Sequence, residues 1–295
     1  MKRLSIIIVT YNSEHDIYDC VASIQQYTDL PKEEVELVIV DNCSREADVM
    51  FQRLREQWGD DIVCLHNDKN GGYGQGNNVG LRASAAPVAM IMNPDVRMLQ
   101  PVFGAALRHF DTTPSLHVLG MKQYLGQGIR SHTSMCVDWL TNGYIRPFMQ
   151  SFCNYVDWFI PSRMSIQGSC FFIRKDAFEE VGYFDESNFM YGEEEDIHYR
   201  LTKRFGVHCY AYDKKLTYLH LAMGREPSLS YEKKLVESQV RLYAKKGIGW
   251  KVIVRHMRQN VRLMILRCVV EGNRGARYKV LKELLHYLSN YNGQA

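Results

Sequence analysis

Short apolar runs alternate with segments of helical period along the first third of the chain. The runs are rich in Ile, Val and Leu without polar alternation, which is typical of strands covered on both faces. They lie at residues 4–9, 35–40, 62–65 and 88–92. Helical spacing predicts helices over residues 13–27, 46–58 and 76–86. This order of elements predicts an α/β fold with a mostly parallel central sheet and helices on both faces.

Polar residues directly follow three of the predicted strands. Ligands of open parallel sheets bind beyond the carboxyl ends of the strands, so these residues are expected to meet at one edge. The three clusters are Thr10-Tyr11-Asn12, Asp41-Asn42 and Asn93-Pro94-Asp95.

The later part of the chain is less regular. Residues 112–166 lack a clean period, and we predict loops with short strands around a binding cleft. A strand over residues 170–173 and a helix over 176–181 follow. From about residue 230 the chain becomes helical and basic, which predicts a main domain over residues 1–230 and a helical C-terminal extension over residues 231–295.

Composition limits the kind of protein. The eight cysteines are scattered without a C-x-x-C pair, which favours reduced thiols in a cytoplasmic protein. The apolar run after Met1-Lys2-Arg3 has no small-residue cleavage site behind it, so we interpret it as a strand and not as a secretory signal. No uninterrupted apolar stretch reaches the ~18 residues that a membrane span requires.

Charge is unevenly distributed. Residues 241–295 carry twelve Lys/Arg and two acids, whereas residues 1–240 carry 24 Lys/Arg and 31 acids. Basic helices are predicted from residue 250 and over residues 275–289. They either pack on the main domain as ordinary amphipathic helices or lie on an anionic membrane surface. The acidic remainder and the lack of a recognised binding module predict no nucleic-acid partner.

Four adjacent acids, Glu193, Glu194, Glu195 and Asp196, form the most informative polar segment. One interpretation is a solvated first helical turn, where negative charge suits the helix dipole. The other is a functional carboxylate, because aromatic residues stand just before the acids at 183–184 and 189–191. A carboxylate against an apolar wall has a raised pKa and can act as a general base near neutral pH.

Asp95 and the glycine-dense segment at residues 70–78 each admit two interpretations. An Asp beside a Pro is a common turn residue, yet a hard cation on a diphosphate needs only one or two protein carboxylates. The glycines either form a tight turn or cradle phosphates through backbone N–H groups. The segment has neither the G-x-G-x-x-G spacing nor the Gly-Lys-Ser/Thr of a P-loop.

Six motifs of the chain resemble those of the family 2 glycosyltransferases, which share the GT-A fold, and they occur in the order of that family. The resemblance covers residues 4–220. It implies a GT-A catalytic domain over residues 1–230 that uses a nucleotide-sugar donor with Mg²⁺ or Mn²⁺. The motifs are residues 5–12, 36–44, 70–80, 93–95, 182–185 and 191–200.

The resemblance also implies roles for the donor-binding residues. Thr10, Tyr11 and Asp41 would hold the nucleotide base and ribose. The Asn-Pro-Asp form is most similar to the rhamnosyltransferase-like branch, which implies a deoxythymidine-diphosphate or UDP sugar. Further donor contacts are expected from Asn12, Asn42, Gly72, Asn77 and Asn93.

For the metal and the base, the resemblance implies that Asp95 binds the cation and that His220 approaches the cation and diphosphate. Glu194 would deprotonate the acceptor hydroxyl, with Glu193 and Asp196 as rivals. Two departures stand out: an Asn takes the first position of the D-x-D-like motif, and the base is Glu where the family uses Asp.

The expected function is inverting transfer of a sugar to a saccharide acceptor in cell-surface polysaccharide biosynthesis. The acceptor is expected to be lipid-linked, for example through undecaprenyl diphosphate, at the inner face of the plasma membrane. Two alternatives stay open: a nucleotide-sugar pyrophosphorylase and a catalytically silent carbohydrate-binding scaffold of this fold. A pyrophosphorylase would want a basic glycine-rich loop after the first strand, where Thr10, Tyr11 and Asn12 stand.

Overall fold

The chain folds into two compact units. A computed structural model describes residues 1–59, 61–126, 134–189, 191–221 and 227–293. One of the two units, which we name the sheet unit, comprises Met1–Ser134, Phe159–Ser162 and Ile166–Ala222. The helical unit comprises Met135–Trp158, Arg163–Ser165 and Met223–Ala295. The division at residue 230 stays a prediction.

The described ranges contain ten strands and ten α-helices. The strands are β1 Leu4–Thr10, β2 Val35–Asp41, β3 Ile62–His66, β4 Val88–Met92, β5 Val96–Met98, β6 Val118–Leu125, β7 Met135–Val137, β8 Met164–Ile166, β9 Cys170–Arg174 and β10 Tyr210–His220. The helices are α1 Glu14–Tyr27, α2 Ala47–Trp58, α3 Gly72–Ala83, α4 Phe103–Thr112, α5 Arg146–Val156, α6 Lys175–Glu180, α7 Glu193–Phe205, α8 Leu229–Lys245, α9 Trp250–Val270 and α10 Ala276–Ser289.

An eight-stranded sheet forms the centre of the sheet unit, in the order β3-β2-β1-β4-β9-β6-β10-β5. Strands β3, β2, β1 and β4 are parallel neighbours, and β6 is parallel to β10. Strand β9 is antiparallel to β4 and β6, and β5 is antiparallel to β10. The prediction of a mostly parallel sheet is therefore confirmed.

Strand β1 shows why the sheet is covered on both faces. Alternate side chains of a strand point to opposite faces. Ile6 and Ile8 belong to the core that includes α1, α2 and α4, whereas Ile7 belongs to the core that includes α3, α6 and α7. All three isoleucines are fully buried. A continuous apolar run is what such a strand requires, so the predicted helices on both faces are confirmed.

In the helical unit, α8, α9 and α10 pack around one apolar core. Met257 of α9, Val240 of α8 and Leu284 of α10 are all buried there. Helices α9 and α10 confirm the two helices predicted from residues 250 and 275. Among the described residues, no helix combines the length and apolarity needed to cross a bilayer.

Two segments differ from the sequence prediction. Helix α3 begins at Gly72, four residues earlier than predicted, because its glycines are weak helix formers that are needed for close packing. The region 112–166 contains an eight-residue strand, β6, and an eleven-residue helix, α5, where we predicted loops with short strands. Residues 127–133 of this region lie outside the described residues.

Candidate active site

The first two polar clusters meet where β1 and β2 end. Thr10 Oγ1 donates to Asp41 Oδ1 at 3.0 Å, and the Ser44 backbone N–H donates to Asp41 Oδ2 at 2.7 Å. The Ser44 hydroxyl donates to Asp41 Oδ1 at 2.5 Å. Thr10 and Asp41 are fully buried, so their hydrogen bond joins the ends of β1 and β2 beneath the exposed residues of this edge.

Residues next to this buried pair are open to solvent. Tyr11 is 52% exposed, and Asn12 is exposed and adopts a positive φ of 49°. The Asn12 backbone N–H donates to Ser44 Oγ at 2.8 Å, which holds the turn in place. In the cluster Thr10-Tyr11-Asn12, Tyr11 and Asn12 are thus the residues that a ligand can reach from solvent.

The start of α3 is tied to the end of β2. Asn42 Nδ2 donates to the Gly72 carbonyl at 3.0 Å, and Asn67 Nδ2 donates to Asn42 Oδ1 at 2.9 Å. Gly72 has a φ of +87°, and a Cβ there would lie 1.8 Å from the Phe189 carbonyl oxygen. Only glycine fits this approach.

Asn77 lies one turn into α3 and is 1% exposed. Its Nδ2 donates to the Tyr73 carbonyl at 2.9 Å. Its Oδ1 is buried without a hydrogen-bond partner in the described part of the chain. A buried amide oxygen of this kind is costly unless it accepts a hydrogen bond, so Asn77 has unused acceptor capacity beside the glycine-rich turn.

Asp95 and His220 form a pair at the same edge. Strand β10 places His220 opposite Val96 of β5, and His220 Nε2 lies 3.2 Å from Asp95 Oδ2. Burial raises the pKa of Asp95, but the hydrogen bond and charge of His220, with a smaller contribution from Arg97, outweigh it and lower that pKa overall. Asp95 therefore stays ionised.

The Asp95–His220 pair can bind a divalent cation only if further ligands from outside the protein complete the coordination shell. The described residues contain no group of three or more His, Cys, Asp or Glu side chains able to hold a metal ion. One carboxylate and one imidazole leave most of an octahedral shell for other oxygens. Diphosphate oxygens and water are the ligands that would complete such a shell, so Asp95 and His220 fit a cation that arrives with a phosphorylated ligand.

The four acids form the first turn of α7. Gly192 and Tyr191 precede it with positive φ values of 93° and 79°. Within the turn, Asp196 is 1% exposed, and its Oδ2 accepts from Arg200 Nε at 2.7 Å. Arg200 also donates to the Val181 carbonyl at 2.6 Å. Asp196 is thus engaged inside the fold. Met190 of the predicted aromatic wall lies outside the described residues.

Glu193 is also buried, at 2% exposure, with its Oε1 unpartnered among the described residues. Burial and the neighbouring Glu194 and Asp196 charges raise its pKa to about 8 against the opposing effect of backbone hydrogen bonds. Its carboxyl is therefore mostly protonated at neutral pH. An apolar environment for at least one acid of this turn agrees with the predicted effect of the aromatic wall.

Glu194 stands against the turn that precedes β9. A Cβ on Gly168 would lie 2.1 Å from Glu194 Oε1, so the carboxylate fills the space that glycine leaves free. Burial raises the pKa of Glu194, while its own backbone N–H and that of Gly168 work in the opposite direction. Unlike Glu193 and Asp196, Glu194 keeps part of its surface exposed.

The same turn links Glu194 to the end of β4. The Asn93 backbone N–H donates to the Ser169 carbonyl at 2.8 Å, and the Tyr73 hydroxyl donates to the Gly168 carbonyl at 2.6 Å. Through Gly168 and Ser169, the structure brings the acid of α7 to the strand end that carries Asn93 and Asp95.

Several residues of this site escaped the sequence analysis. Tyr73 acts through its hydroxyl on the Gly168 carbonyl, and Gly168 acts through the space that it leaves for Glu194; no spacing in the sequence reveals either contact. Asn78 is fully buried. Its Nδ2 donates to the Phe184 carbonyl at 2.9 Å, and its Oδ1 accepts from the Phe184 backbone N–H at 3.0 Å. Ser44 had a detectable signal, because it ends the run that begins with Asp41.

Comparisons with known proteins agree on one family. Residues 5–182 match the family model described as glycosyl transferase family 2. The low-salt glycan biosynthesis hexosyltransferase Agl10 of Haloferax volcanii is 30% identical over 211 residues, which are 68% of this chain and 62% of that protein. The poly(ribitol-phosphate) β-N-acetylglucosaminyltransferase TarS of Staphylococcus aureus is 28% identical over 131 residues, 44% of this chain and 22% of that protein.

A solved structure shares the fold. The mannosyltransferase PcManGT of Pyrobaculum calidifontis, in complex with GDP-Man and Mn²⁺, aligns with a TM-score of 0.65 at 14% identity. The alignment covers 97% of this chain and 85% of that one. The predicted GT-A fold is thereby confirmed.

Proposed function

Since this chain belongs to glycosyl transferase family 2, we propose that it is an inverting glycosyltransferase that moves a sugar from a nucleotide-diphosphate donor to an acceptor hydroxyl. One observation carries the proposal. The Glu194 carboxylate lies against the turn of Gly168 and Ser169, and this turn accepts a hydrogen bond from Asn93, two residues before Asp95 of the Asp95–His220 pair. A base and a cation site are the two groups that such a transfer needs.

We assign the role of base to Glu194. Its raised pKa suits removal of a proton from a hydroxyl near neutral pH. Glu193 is a poorer base because most of it is already protonated, and Asp196 is held by Arg200. With one base and no carboxylate proposed as nucleophile, the acceptor oxygen attacks the anomeric carbon directly and configuration inverts.

Asp95 and His220 are the residues that would hold Mg²⁺ or Mn²⁺. When bound, such a cation neutralises charge on the leaving nucleoside diphosphate. Asn93 takes the place of the first acid of the D-x-D-like motif, so Asp95 would be the carboxylate ligand of the cation from this motif. The Mn²⁺ complex of the fold relative PcManGT supports this assignment.

We assign donor binding to the residues around the first two strand ends. Tyr11 and Asn12 offer exposed contacts, whereas Thr10 and Asp41 are buried and would shape the pocket from behind. The remaining donor-site residues of this proposal are Asn42, Gly72, Asn77 and Asn93.

The sugar, the acceptor and the location are proposals of finer grain. We propose a deoxythymidine-diphosphate or UDP sugar, rhamnosyl or hexosyl, and a saccharide acceptor that is lipid-linked, in cell-surface glycan biosynthesis. The names of Agl10 and TarS, which concern glycans and poly(ribitol phosphate), support a glycan-related acceptor. Exposed basic residues of α9, such as Lys251 and Arg255, support a place at an anionic inner membrane surface.

A donor screen and one substitution test the proposal. The purified chain is incubated with UDP-, GDP- and deoxythymidine-diphosphate sugars and Mg²⁺ or Mn²⁺, and release of nucleoside diphosphate is measured with saccharide acceptors. Glu194→Gln is expected to reduce transfer by about 10²–10⁴-fold while donor binding, followed by thermal shift, persists. Glu180→Gln, at an exposed ion pair with Arg204, is the matched control.

The outcomes separate the alternatives. Turnover that survives Glu194→Gln would remove Glu194 as the base. Donor binding without transfer by the wild-type chain, with every acceptor, would favour the silent scaffold. Formation of nucleotide sugar from a nucleoside triphosphate and a sugar phosphate, with release of pyrophosphate, would favour the pyrophosphorylase.

A further inference from the structure

Helix α5 of the helical unit turns its apolar side to solvent. Phe148, Phe152 and Tyr155 recur at i, i+4 and i+7, the spacing of one helix face, with Val156 beside them. Phe148 is 66% exposed and Tyr155 80% exposed. We name these four residues the α5 apolar face. A surface helix ordinarily buries such a stripe.

The inward side of α5 carries the buried Cys153 and a set of polar side chains. Asn154 is buried, accepts from the Met135 backbone N–H at 3.3 Å and donates to the Met135 carbonyl at 3.1 Å. Gln150 accepts from the Val137 N–H at 2.8 Å, and Arg146 donates to the Val137 carbonyl at 2.9 Å. Polar side chains therefore fix α5 to strand β7.

The exposed apolar surface continues past both ends of the helix. Tyr144 and Ile145 precede α5 and Trp158 follows it, and all three are exposed. At roughly 200 Å² for a whole aromatic side chain, the exposed parts of Phe148, Phe152, Tyr155 and Trp158 present about 500 Å². An exposed apolar area of about this size is often functional in a monomeric protein.

Basic charge stands beside this surface. The loop that leads into α5 packs on α9, where the Gly143 N–H donates to Gln259 Oε1 at 3.2 Å. Arg255 and Arg262, both exposed, lie one turn before and one turn after Gln259 on the same side of α9. Neither α5 nor α9 contains an acidic residue, and the one acid within the exposed segment is Asp157, directly after α5.

We propose that the α5 apolar face and the adjacent arginines of α9 dock the helical unit on an anionic lipid bilayer, with the aromatic side chains at the headgroup–acyl boundary. Tyr and Trp suit that boundary because each has an apolar ring and a polar group, and Phe adds apolar area for the acyl side. Arginines beside them bind anionic headgroups.

Charge decides between a bilayer and a second copy of the chain. A twofold interface would bring the same surface of both copies together. The arginine-bearing, acid-free helix α9 would then face its own like charge, which opposes association. An anionic bilayer supplies the opposite charge.

The docking surface does not rest on the proposed glycosyl transfer, and binding of the full chain to vesicles tests it. Sedimentation is measured with vesicles of phosphatidylcholine alone and with added phosphatidylglycerol. We expect binding to the anionic vesicles, weakened about tenfold or more by Phe148→Ser with Phe152→Ser. Arg255→Gln with Arg262→Gln should weaken it too and reduce its salt dependence.

Matched controls keep the test specific. Val49→Ser with Leu99→Ser removes exposed apolar residues of the sheet unit and should leave vesicle binding unchanged. Trp158 fluorescence should shift to the blue on binding, and Trp158→Phe should remove that shift. Activity on a water-soluble acceptor should be unaffected by Phe148→Ser with Phe152→Ser, which keeps docking and transfer distinguishable.

Two results would overturn the proposal. One is equal binding of wild type and the Phe148, Phe152 variant to anionic vesicles, or no binding by either. The other is a wild-type dimer in sedimentation velocity that becomes monomeric in that variant, since the α5 apolar face would then join two copies of the chain.

Discussion

Glu193 is expected to hold a proton in the folded protein near neutral pH, and Glu193→Gln tests this. The side chain is 2% exposed. Burial, with the Glu194 charge next in effect, raises its pKa from 4.5 to about 8. Glutamine has nearly the same shape and does not ionise. The substitution therefore removes the titration and leaves the packing almost unchanged.

The sign of the effect follows from which state holds the proton more tightly. The pKa is higher in the folded chain, so ionisation of Glu193 destabilises the fold and wild-type stability falls as the pH rises from 4.5 to about 8. A tenfold change in proton affinity corresponds to about 1.4 kcal/mol. Between about pH 5 and about pH 8, the wild type should lose about 3 kcal/mol of unfolding free energy that Glu193→Gln retains.

Urea unfolding at both pH values measures this difference. The control is Glu180→Gln, whose exposed ion pair contributes little, so its stability should follow the wild type at both pH values. Parallel pH profiles for wild type and Glu193→Gln would show that Glu193 does not hold a proton in the folded chain. So would a loss of transfer in Glu193→Gln as large as that expected for Glu194→Gln, because a protonated Glu193 cannot be the base.

Substitutions at three further residues probe the site. Asp95→Asn should weaken Mn²⁺-dependent nucleoside diphosphate binding about tenfold or more, measured by titration at fixed Mn²⁺; an unchanged metal dependence would remove Asp95 from the cation site. Gly72→Ala should lower the unfolding free energy by about 2 kcal/mol or more, because its Cβ would meet a carbonyl oxygen at 1.8 Å and its φ is +87°; an unaltered urea midpoint would contradict that approach. Asn78→Ala should cost about 2 kcal/mol by leaving the Phe184 backbone unpaired. Asn78→Asp should cost more than Asn78→Ala in the same urea assay, because it buries a carboxylate next to the Phe184 carbonyl and the Glu186 carboxylate.

The central strands were predictable because burial on both faces demands uninterrupted apolar residues. Predicted strands 4–9, 35–40 and 88–92 match β1, β2 and β4 to within one residue at each end. The position of the polar residues that follow these strands was also predictable, because a parallel sheet brings the carboxyl ends of its strands to one edge.

Helix α5 was not predictable from its pattern. An apolar stripe on a helix ordinarily faces the protein, whereas in α5 the buried Asn154 bonds to strand β7 and the aromatic stripe is exposed. Helix α3 shows a different limit. Intrinsic propensity places its start after the glycines, but tertiary contacts such as that of Gly72 with the Phe189 carbonyl override propensity.

Within the candidate site, residue types were predictable and their accessibility was not. Asp41 was expected to touch the nucleotide, yet its carboxylate is fully buried and its bonds go to Thr10 and Ser44. Likewise, nothing in four adjacent acids indicates which of them keeps an exposed surface. That depends on how α7 is rotated against the Gly168 turn, which only the three-dimensional structure reveals.

The contact between Gly168 and Glu194 has a consequence for how the reactivity of this site could be adjusted. A methyl group at position 168 would overlap Glu194 Oε1, at 2.1 Å, and push the carboxylate aside without altering any charge in the site. Engineers and natural variation alike could therefore reposition the acid through a residue that has no functional group. In such a site, the absence of a side chain determines where a neighbouring carboxylate lies, and a search confined to ionisable residues would overlook it.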